Sequence, residues 1–84
     1  MHAEIAIKLT NIVHHFKLRT TPLQVATRVG FEEAVHLLLE CGANINDQDC
    51  EGDTAVHDAV RMGKHTIVKD LIIHGADLEI KNKV

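Results

Sequence analysis

The sequence predicts a mainly α-helical solenoid of stacked helix-turn-helix units that are joined by short β-hairpin loops. The first observation is a repeat, because residues recur at an offset of 33 positions, with Thr21 returning as Thr54 and Leu38 as Leu71. The second is the spacing of the glycines, which stand where short helices would have to end. The third is an aliphatic composition, since 45% of the residues are hydrophobic but Phe is the only aromatic type and occurs twice. Repeats of this length bury their apolar faces by stacking side by side.

The offset divides one domain of residues 1–84 into three parts. Residues 21–53 form one repeat, and residues 54–84 form another whose carboxyl-terminal face is open. Moving back by the same offset aligns further apolar residues, so residues 1–20 form a degenerate partial repeat. Further identical pairs at this offset are Ala26 with Ala59, Arg28 with Arg61, Gly30 with Gly63, Val35 with Val68, Gly42 with Gly75 and Ala43 with Ala76.

Each repeat opens with a helix that we call the inner helix. Thr21 can cap the first unpaired backbone amides of this helix, and Pro22 loses no hydrogen bond at the first helical position. Thr54 occupies the same place in the second repeat. Ala26 and Ala59 follow within these helices and have almost no side chain, so the two inner helices can approach each other closely.

A second helix, which we call the outer helix, follows a turn in each repeat. We expect the outer helices to run from about Glu32 to Cys41 and from about Thr66 to His74. One glycine precedes each outer helix and another ends it. We expect a left-handed backbone at all four of these glycines, which are Gly30, Gly63, Gly42 and Gly75.

Polar and apolar residues alternate after each outer helix, which is typical of an extended loop arm with one buried side chain. The buried residue would be Ile45 in the first repeat and Leu78 in the second. Residues 49–53 are polar and include Gly52, so we expect them to form the tip of a hairpin.

The degenerate repeat lacks two of the expected glycines. Leu9 replaces the helix-ending glycine, and Arg19 replaces the glycine of the hairpin tip. We therefore expect a helix from about Ala3 to Leu9, and the sequence leaves the path of residues 10–20 open.

Several of these motifs together resemble the ankyrin-repeat family. That family opens each unit with a Thr-Pro-Leu-His-like turn, which matches Thr21-Pro22-Leu23-Gln24 and Thr54-Ala55-Val56-His57. The resemblance covers Thr21 to Asn82 and implies a non-catalytic module that binds another protein through its hairpin tips and the concave face of its inner helices. It also implies that His57 bridges to the capping threonine instead of binding a metal ion.

One segment points to a second interpretation. Residues 51–60 are similar to repeats of the mind-bomb ubiquitin ligases and of the cardiac-muscle ankyrin-repeat proteins. The alternative function is therefore substrate recruitment within a larger multidomain enzyme such as an E3 ubiquitin ligase. A cysteine-rich RING pattern in sequence beyond Val84 would favour that alternative, and a polar capping repeat would favour an independent adaptor.

The family pattern places candidate partner-binding residues on the loop tips and on the inner helices. Arg28 and Arg61 share one repeat position, where they either pair with carboxylates of an extended partner or form a solvated helix edge. The open carboxyl-terminal face is a candidate surface for self-association. The full set of candidate residues is Lys17, Thr20, Arg28, Val29, Cys50, Glu51, Asp53, Asp58, Arg61 and Met62.

Composition disfavours other classes of function. A net charge of -3 argues against nucleic-acid binding, and no stretch has the length and apolarity of a membrane span or export signal. The chain contains no Ser nucleophile and no phosphate-binding loop, so we expect neither catalysis nor a cofactor. Its seven histidines lack the close pairing of zinc sites, so we expect no metal. We expect unpaired thiols at Cys41 and Cys50 and an intracellular location, in the cytoplasm or nucleus.

Overall fold

The computed structural model of the protein describes Ile5 and residues 18–83. Ile5 is helical, is 9% exposed and belongs to the apolar core. The rest of the helix predicted from Ala3 to Leu9 lies outside the described residues, as do residues 10–17 and Val84.

Residues 18–83 contain four helices, which are α1 Pro22–Val29, α2 Glu32–Glu40, α3 Ala55–Arg61 and α4 His65–Ile73. They form two helical hairpins, which confirms the predicted mainly α fold of stacked units. The inner helices α1 and α3 pack against each other, and each outer helix, α2 or α4, packs against the inner helix of its own repeat and against the other outer helix. Between residues 18 and 83 no β-strand is present, so the loops that were expected to be β-hairpins contain no strands there. None of the helices in this part of the chain has the length and apolarity of a membrane span.

The outer helices differ slightly from the prediction at their ends. Both end one residue earlier, because Cys41 and His74 have left the helix and serve as C-caps. The second outer helix also begins one residue earlier, at His65, where Lys64 is the N-cap.

Capping threonines begin both inner helices, as predicted. Thr21 Oγ1 accepts the Gln24 N–H at 3.1 Å, and Gln24 Oε1 accepts the Thr21 N–H at 3.1 Å. In α3, His57 Nδ1 accepts the Thr54 N–H at 2.9 Å and lies 3.0 Å from Thr54 Oγ1. The predicted bridge from His57 to its capping threonine is therefore confirmed, and this reciprocal bonding satisfies amides that the first helical turn leaves unpaired.

Left-handed backbone is confirmed at the four predicted glycines, which all have a positive φ. The tip of the loop between the two repeats also has a left-handed backbone. Gly52 has a φ of 81°, and a Cβ there would lie 3.0 Å from Asn82 Cα, so both the backbone angle and the space require glycine. Arg19 holds the equivalent position of the preceding loop with a φ of 66°. A side chain at this angle is strained, so Arg19 carries a conformational cost that Gly52 avoids.

The core between the two layers is aliphatic, as predicted. Ala26 and Ala59 are fully buried, so their small side chains do let the inner helices approach. Ile45 packs against this core and is half-buried. Leu78 was expected to point inward, but that prediction is wrong because its residue is 61% exposed. The difference in exposure follows from position in the chain. Ile45 is followed by the second helical hairpin, whereas Leu78 is followed by only residues 79–83 of the described chain.

Candidate protein-binding surface

A buried polar network connects the two repeats behind the loop tip. At its centre is Gln24, which is fully buried. Its Nε2 carries two hydrogens and lies within hydrogen-bond distance of three acceptors, which are Asp49 Oδ2 at 3.1 Å, the Asp53 carbonyl oxygen at 2.9 Å and Asp58 Oδ2 at 3.1 Å. Because these acceptors belong to the loop and to α3, one amide of α1 holds both in place.

Two arginines complete this network from the inner helices. Arg28 bonds Asp49 Oδ2 through Nη2 and Asp58 Oδ2 through Nε, both at 3.1 Å. Arg61 bonds Asp53 Oδ2 through Nη2 at 2.7 Å and Asp58 Oδ1 through Nη1 at 3.2 Å. Both arginines therefore pair with carboxylates of their own chain. The sequence analysis considered only carboxylates of a partner or a solvated helix edge, so it did not predict this arrangement. The Arg28 side chain is 15% exposed, whereas that of Arg61 is 52% exposed.

The two central carboxyl groups have pKa values that are shifted in opposite directions. Burial raises the pKa of Asp58, although the hydrogen bond and charge of Arg28 oppose that effect. Burial acts in the same direction on Asp53, but hydrogen bonds from Asn82 and Arg61 outweigh it and lower the pKa of Asp53. The shift of Asp53 therefore favours the folded state above the ordinary Asp pKa and is lost as the pH falls. The shift of Asp58 favours the folded state at low pH and is lost as the pH rises through its raised pKa.

Three of the predicted partner-binding residues lie inside the protein. Thr20 is 7% exposed, Asp53 is 1% exposed and Asp58 is 0% exposed. Their expected exposure is therefore wrong, because Asp53 and Asp58 accept hydrogen bonds within the network. Lys17 lies outside the described residues.

Exposed apolar side chains stand at the carboxyl-terminal ends of both inner helices. Val29 is the last residue of α1 and is 56% exposed, and Met62 caps α3 and is 49% exposed. Both were predicted from the sequence, and they are 33 residues apart. The arginines that precede them contact the loop acids, so these helix ends lie beside the loops.

Backbone hydrogen bonds align the loop tips. The Cys50 N–H donates to the Leu18 carbonyl oxygen at 3.2 Å, and the Lys83 N–H donates to the Glu51 carbonyl oxygen at 2.9 Å. Glu51 and Lys83 are exposed, Cys50 is half-buried with a free thiol, and Leu18 is 78% exposed. Sequence reasoning missed Leu18, although the repeat offset from Glu51 would have found it. We call Leu18, Cys50, Glu51 and Lys83 the loop-tip row.

A second surface is the open carboxyl-terminal face. It contains a cleft of about 450 Å³ whose lining includes Val56, Val60, Leu78 and Ile80. Val60 is 63% exposed, whereas Thr27 at the equivalent position of the first repeat is fully buried. Another repeat packed against this face would bury it, in the same way that the second repeat buries the equivalent face of the first repeat.

Acidic side chains cluster at the loop, but the chain itself occupies the carboxylate oxygens of Asp49 and Asp53. Carboxylate oxygens of Asp49, Glu51 and Asp53 lie within 4.8 Å of one another. Asp49 Oδ1 accepts the backbone N–H groups of Glu51 at 2.9 Å and of Asp53 at 3.0 Å. Its Oδ2 accepts from Gln24 and Arg28. This cluster is therefore part of the loop structure and the buried network.

Two helical hairpins that repeat at a constant offset, with capped inner helices and aligned loop tips, define a helical repeat protein. The family model for ankyrin repeats in three copies matches residues 2–82. The chain belongs to the ankyrin-repeat family. Ankyrin repeats generally mediate protein–protein interactions, and proteins of this family are typically non-catalytic.

Curated relatives share this repeat region. The chain is 45% identical over 60 residues to Rabankyrin-5 of Mus musculus, and these residues cover 71% of this chain and 5% of that protein. It is 36% identical over 72 residues to protein phosphatase 1 regulatory subunit 12A of Mus musculus, covering 86% of this chain and 7% of that protein. It is 40% identical over 74 residues to putative ankyrin repeat protein L92 of Acanthamoeba polyphaga mimivirus, covering 87% of this chain and 18% of that protein. The chain therefore spans a small part of each relative, and the likeness to mind-bomb ligases stays a prediction.

Proposed function

We propose that this chain binds a protein partner through the loop-tip row and the adjoining inner-helix ends, Val29 and Met62. The proposal rests on one observation, namely that apolar side chains stay exposed at the same position of both repeats. Val29 is 56% exposed and Met62 is 49% exposed, whereas Gln24, Asp53 and Asp58 of the network are buried. Apolar and Met side chains surrounded by polar groups are typical of the centre of a protein interface.

The charges around this surface favour a partner with a mixed rather than an acidic face. Arg28 and Arg61 are neutralised by their own chain, so they attract partner carboxylates less than free arginines would. Glu51 and Lys83 are exposed at the tips and carry opposite charges. The partner would therefore place an apolar side chain over Val29 and Met62 and polar groups over the loop tips. We place this interaction in the cytoplasm or nucleus.

Introducing a negative charge at the two apolar positions tests this proposal. A chain with Val29→Asp and Met62→Asp is compared with the wild type and with Ile73→Asp, a control at a 79% exposed position on the outer helix α4. Partners are captured from cell extract with immobilised wild-type chain, and their affinities for the three chains are then measured with purified components. The double variant should bind at least about tenfold more weakly. Equal affinity of all three chains, or a loss only in the Ile73 variant, would reject the surface.

A second candidate is self-association through the open carboxyl-terminal face. The exposed Val60 and Leu78 beside the cleft favour it, because burying them would remove apolar surface from water. Sedimentation velocity over a range of concentrations should show a dimer that Leu78→Asp weakens and Ile73→Asp leaves unchanged. A chain that stays monomeric at high concentration would reject this candidate. Recruitment of substrates for an E3 ubiquitin ligase remains a prediction that requires sequence beyond Val84.

A further inference from the structure

The outer helices bring together two imidazoles and a carboxylate from different repeats. His36 and Glu40 are one helical turn apart on α2, so they lie on one face of that helix. His74 follows the last turn of α4. One ring nitrogen from each histidine and a carboxylate oxygen of Glu40 lie within 4.8 Å of one another. Spacing along the sequence does not show this group, because its members come from both hairpins.

The orientation of His74 is fixed by a backbone group. Its Nδ1 lies 2.8 Å from the Asp70 carbonyl oxygen, which can only accept a hydrogen bond. Nδ1 therefore carries the hydrogen, and the other ring nitrogen, Nε2, points to Glu40 Oε2 at 3.2 Å. In the neutral ring Nε2 has only a lone pair, and two acceptors at this distance repel each other. A metal cation between Nε2 and the carboxylate would be bound by both atoms, and a proton on Nε2 would form a hydrogen bond to the carboxylate.

The Asp70 carboxylate lies near both imidazoles, on the side of the His74 ring opposite to Glu40. It is 3.2 Å from His74 Nδ1 and 3.7 Å from His36 Nδ1. The two rings meet edge to face, with centroids 5.9 Å apart. A carboxylate or carbonyl behind a ligating imidazole is the usual arrangement in metal sites, where it orients the ring and increases its basicity.

We propose that His36, Glu40 and His74 form a zinc site that links the outer helices of the two repeats. Imidazole and carboxylate ligands suit Zn²⁺, and three protein ligands leave a fourth position for water. Zinc bonds of about 2.0 to 2.2 Å at tetrahedral angles place neighbouring ligand atoms about 3.3 to 3.6 Å apart. The distance of 3.2 Å from His74 Nε2 to Glu40 Oε2 is close to this range. The His36 side chain is 57% exposed and can approach by side-chain rotation.

Zinc held in this way would stabilise the folded state. The ligands come from α2 and α4, so the complete site exists only when the two hairpins are packed together. A ligand that binds the folded state preferentially raises the unfolding temperature in proportion to the logarithm of its concentration. The site is separate from the loop-tip row and does not depend on the proposed protein binding.

Titration of the chelator-treated chain with zinc chloride at about pH 8, where protons compete less with the metal for the ligands, tests the proposal. Calorimetry should show one Zn²⁺ per chain, and thermal unfolding should move to higher temperature. His36→Gln, Glu40→Gln and His74→Gln should each weaken binding by about tenfold or more. Magnesium chloride should cause no shift, because Mg²⁺ prefers oxygen ligands. The Glu40 variant decides the test if His74→Gln does not fold, because Glu40 has an exposed side chain.

Three controls separate this site from other zinc ligands of the chain. His65→Gln changes an exposed histidine on the same helix, α4, and should bind zinc as the wild type does. A variant with Cys41→Ser and Cys50→Ser should also retain binding, as should one with His2, His14 and His15 changed to Gln. Loss of binding in either multiple variant, or unchanged binding in the Glu40 and His36 variants, would overturn the proposal. Zinc-dependent dimers in sedimentation would likewise show that the ion bridges two chains rather than two helices.

Discussion

Replacing Asp58 with alanine should remove about 3 kcal/mol from the free energy of unfolding. The Asp58 side chain is 0% exposed and accepts hydrogen bonds from three side chains of the network. These bonds come from Gln24 Nε2 at 3.1 Å, Arg28 Nε at 3.1 Å and Arg61 Nη1 at 3.2 Å. Removing one member of a buried ion pair costs about 3 to 5 kcal/mol, because its partner stays buried without compensation.

The loss should lie at the lower end of that range because every donor keeps another acceptor. Gln24 and Arg28 still bond Asp49. Arg61 still bonds Asp53 at 2.7 Å and is half exposed to water. A chain of 84 residues has a total stability of about 4 to 12 kcal/mol. The variant should therefore unfold at a clearly lower urea concentration, and it should remain folded in water if the wild type exceeds the low end of that range.

Urea unfolding followed by circular dichroism measures this loss. The matched control is Asp47→Ala, which removes an exposed carboxylate and should change stability by less than about 0.5 kcal/mol. A double-mutant cycle with Arg28→Ala should give a coupling energy of about 1 kcal/mol or more between the two residues. A loss below about 1 kcal/mol for Asp58→Ala, or additive effects in the cycle, would refute the claim that the network contributes as a unit.

Three further predictions concern the loops and pH. Gly52→Ala should destabilise the chain by about 1 to 3 kcal/mol more than Gly42→Ala in urea unfolding, because both have φ above 80° but only Gly52 meets backbone at 3.0 Å; equal losses would contradict this. Arg19→Gly should raise stability by about 0.5 to 1 kcal/mol, whereas Arg19→Ala should not. Between about pH 6 and 3, Asp53→Asn should lose less stability than the wild type and Asp58→Asn should lose more, because the two pKa shifts are opposite; parallel pH profiles would reject this assignment.

The parts of the fold that could be predicted from the sequence obey local rules. Thr21 and Thr54 begin helices because a short hydroxyl side chain reaches the amide three residues ahead. Gly30 turns the chain because a left-handed backbone favours a residue without Cβ. The positions of the helices in the second hairpin could be predicted from those in the first, because the same offset relates the two hairpins.

The parts that could not be predicted depend on contacts between distant residues. The family pattern predicts that Asp53 and Asp58 are exposed, because they occupy partner-binding positions of that family. Their burial depends on Gln24, which is 34 residues away from Asp58 along the chain. The same limit applies to His36 and His74, which belong to different repeats. The repeat offset predicts which residues of the two repeats are equivalent. It does not show which side chains of the same chain pair with a given charged residue.

The buried network also limits how a partner can recognise this chain. A partner carboxylate that approached Arg61 would compete with Asp53 and Asp58, which already hold both guanidinium amino groups at 2.7 Å and 3.2 Å. Any gain from a new ion pair would be offset by weakening an existing one, and exposed ion pairs contribute little in any case. Burying Val29 and Met62 involves no such competition, since both already extend into water. Selectivity should therefore depend on the shape of the apolar helix ends and on the exposed loop tips, while the arginines keep those elements in position.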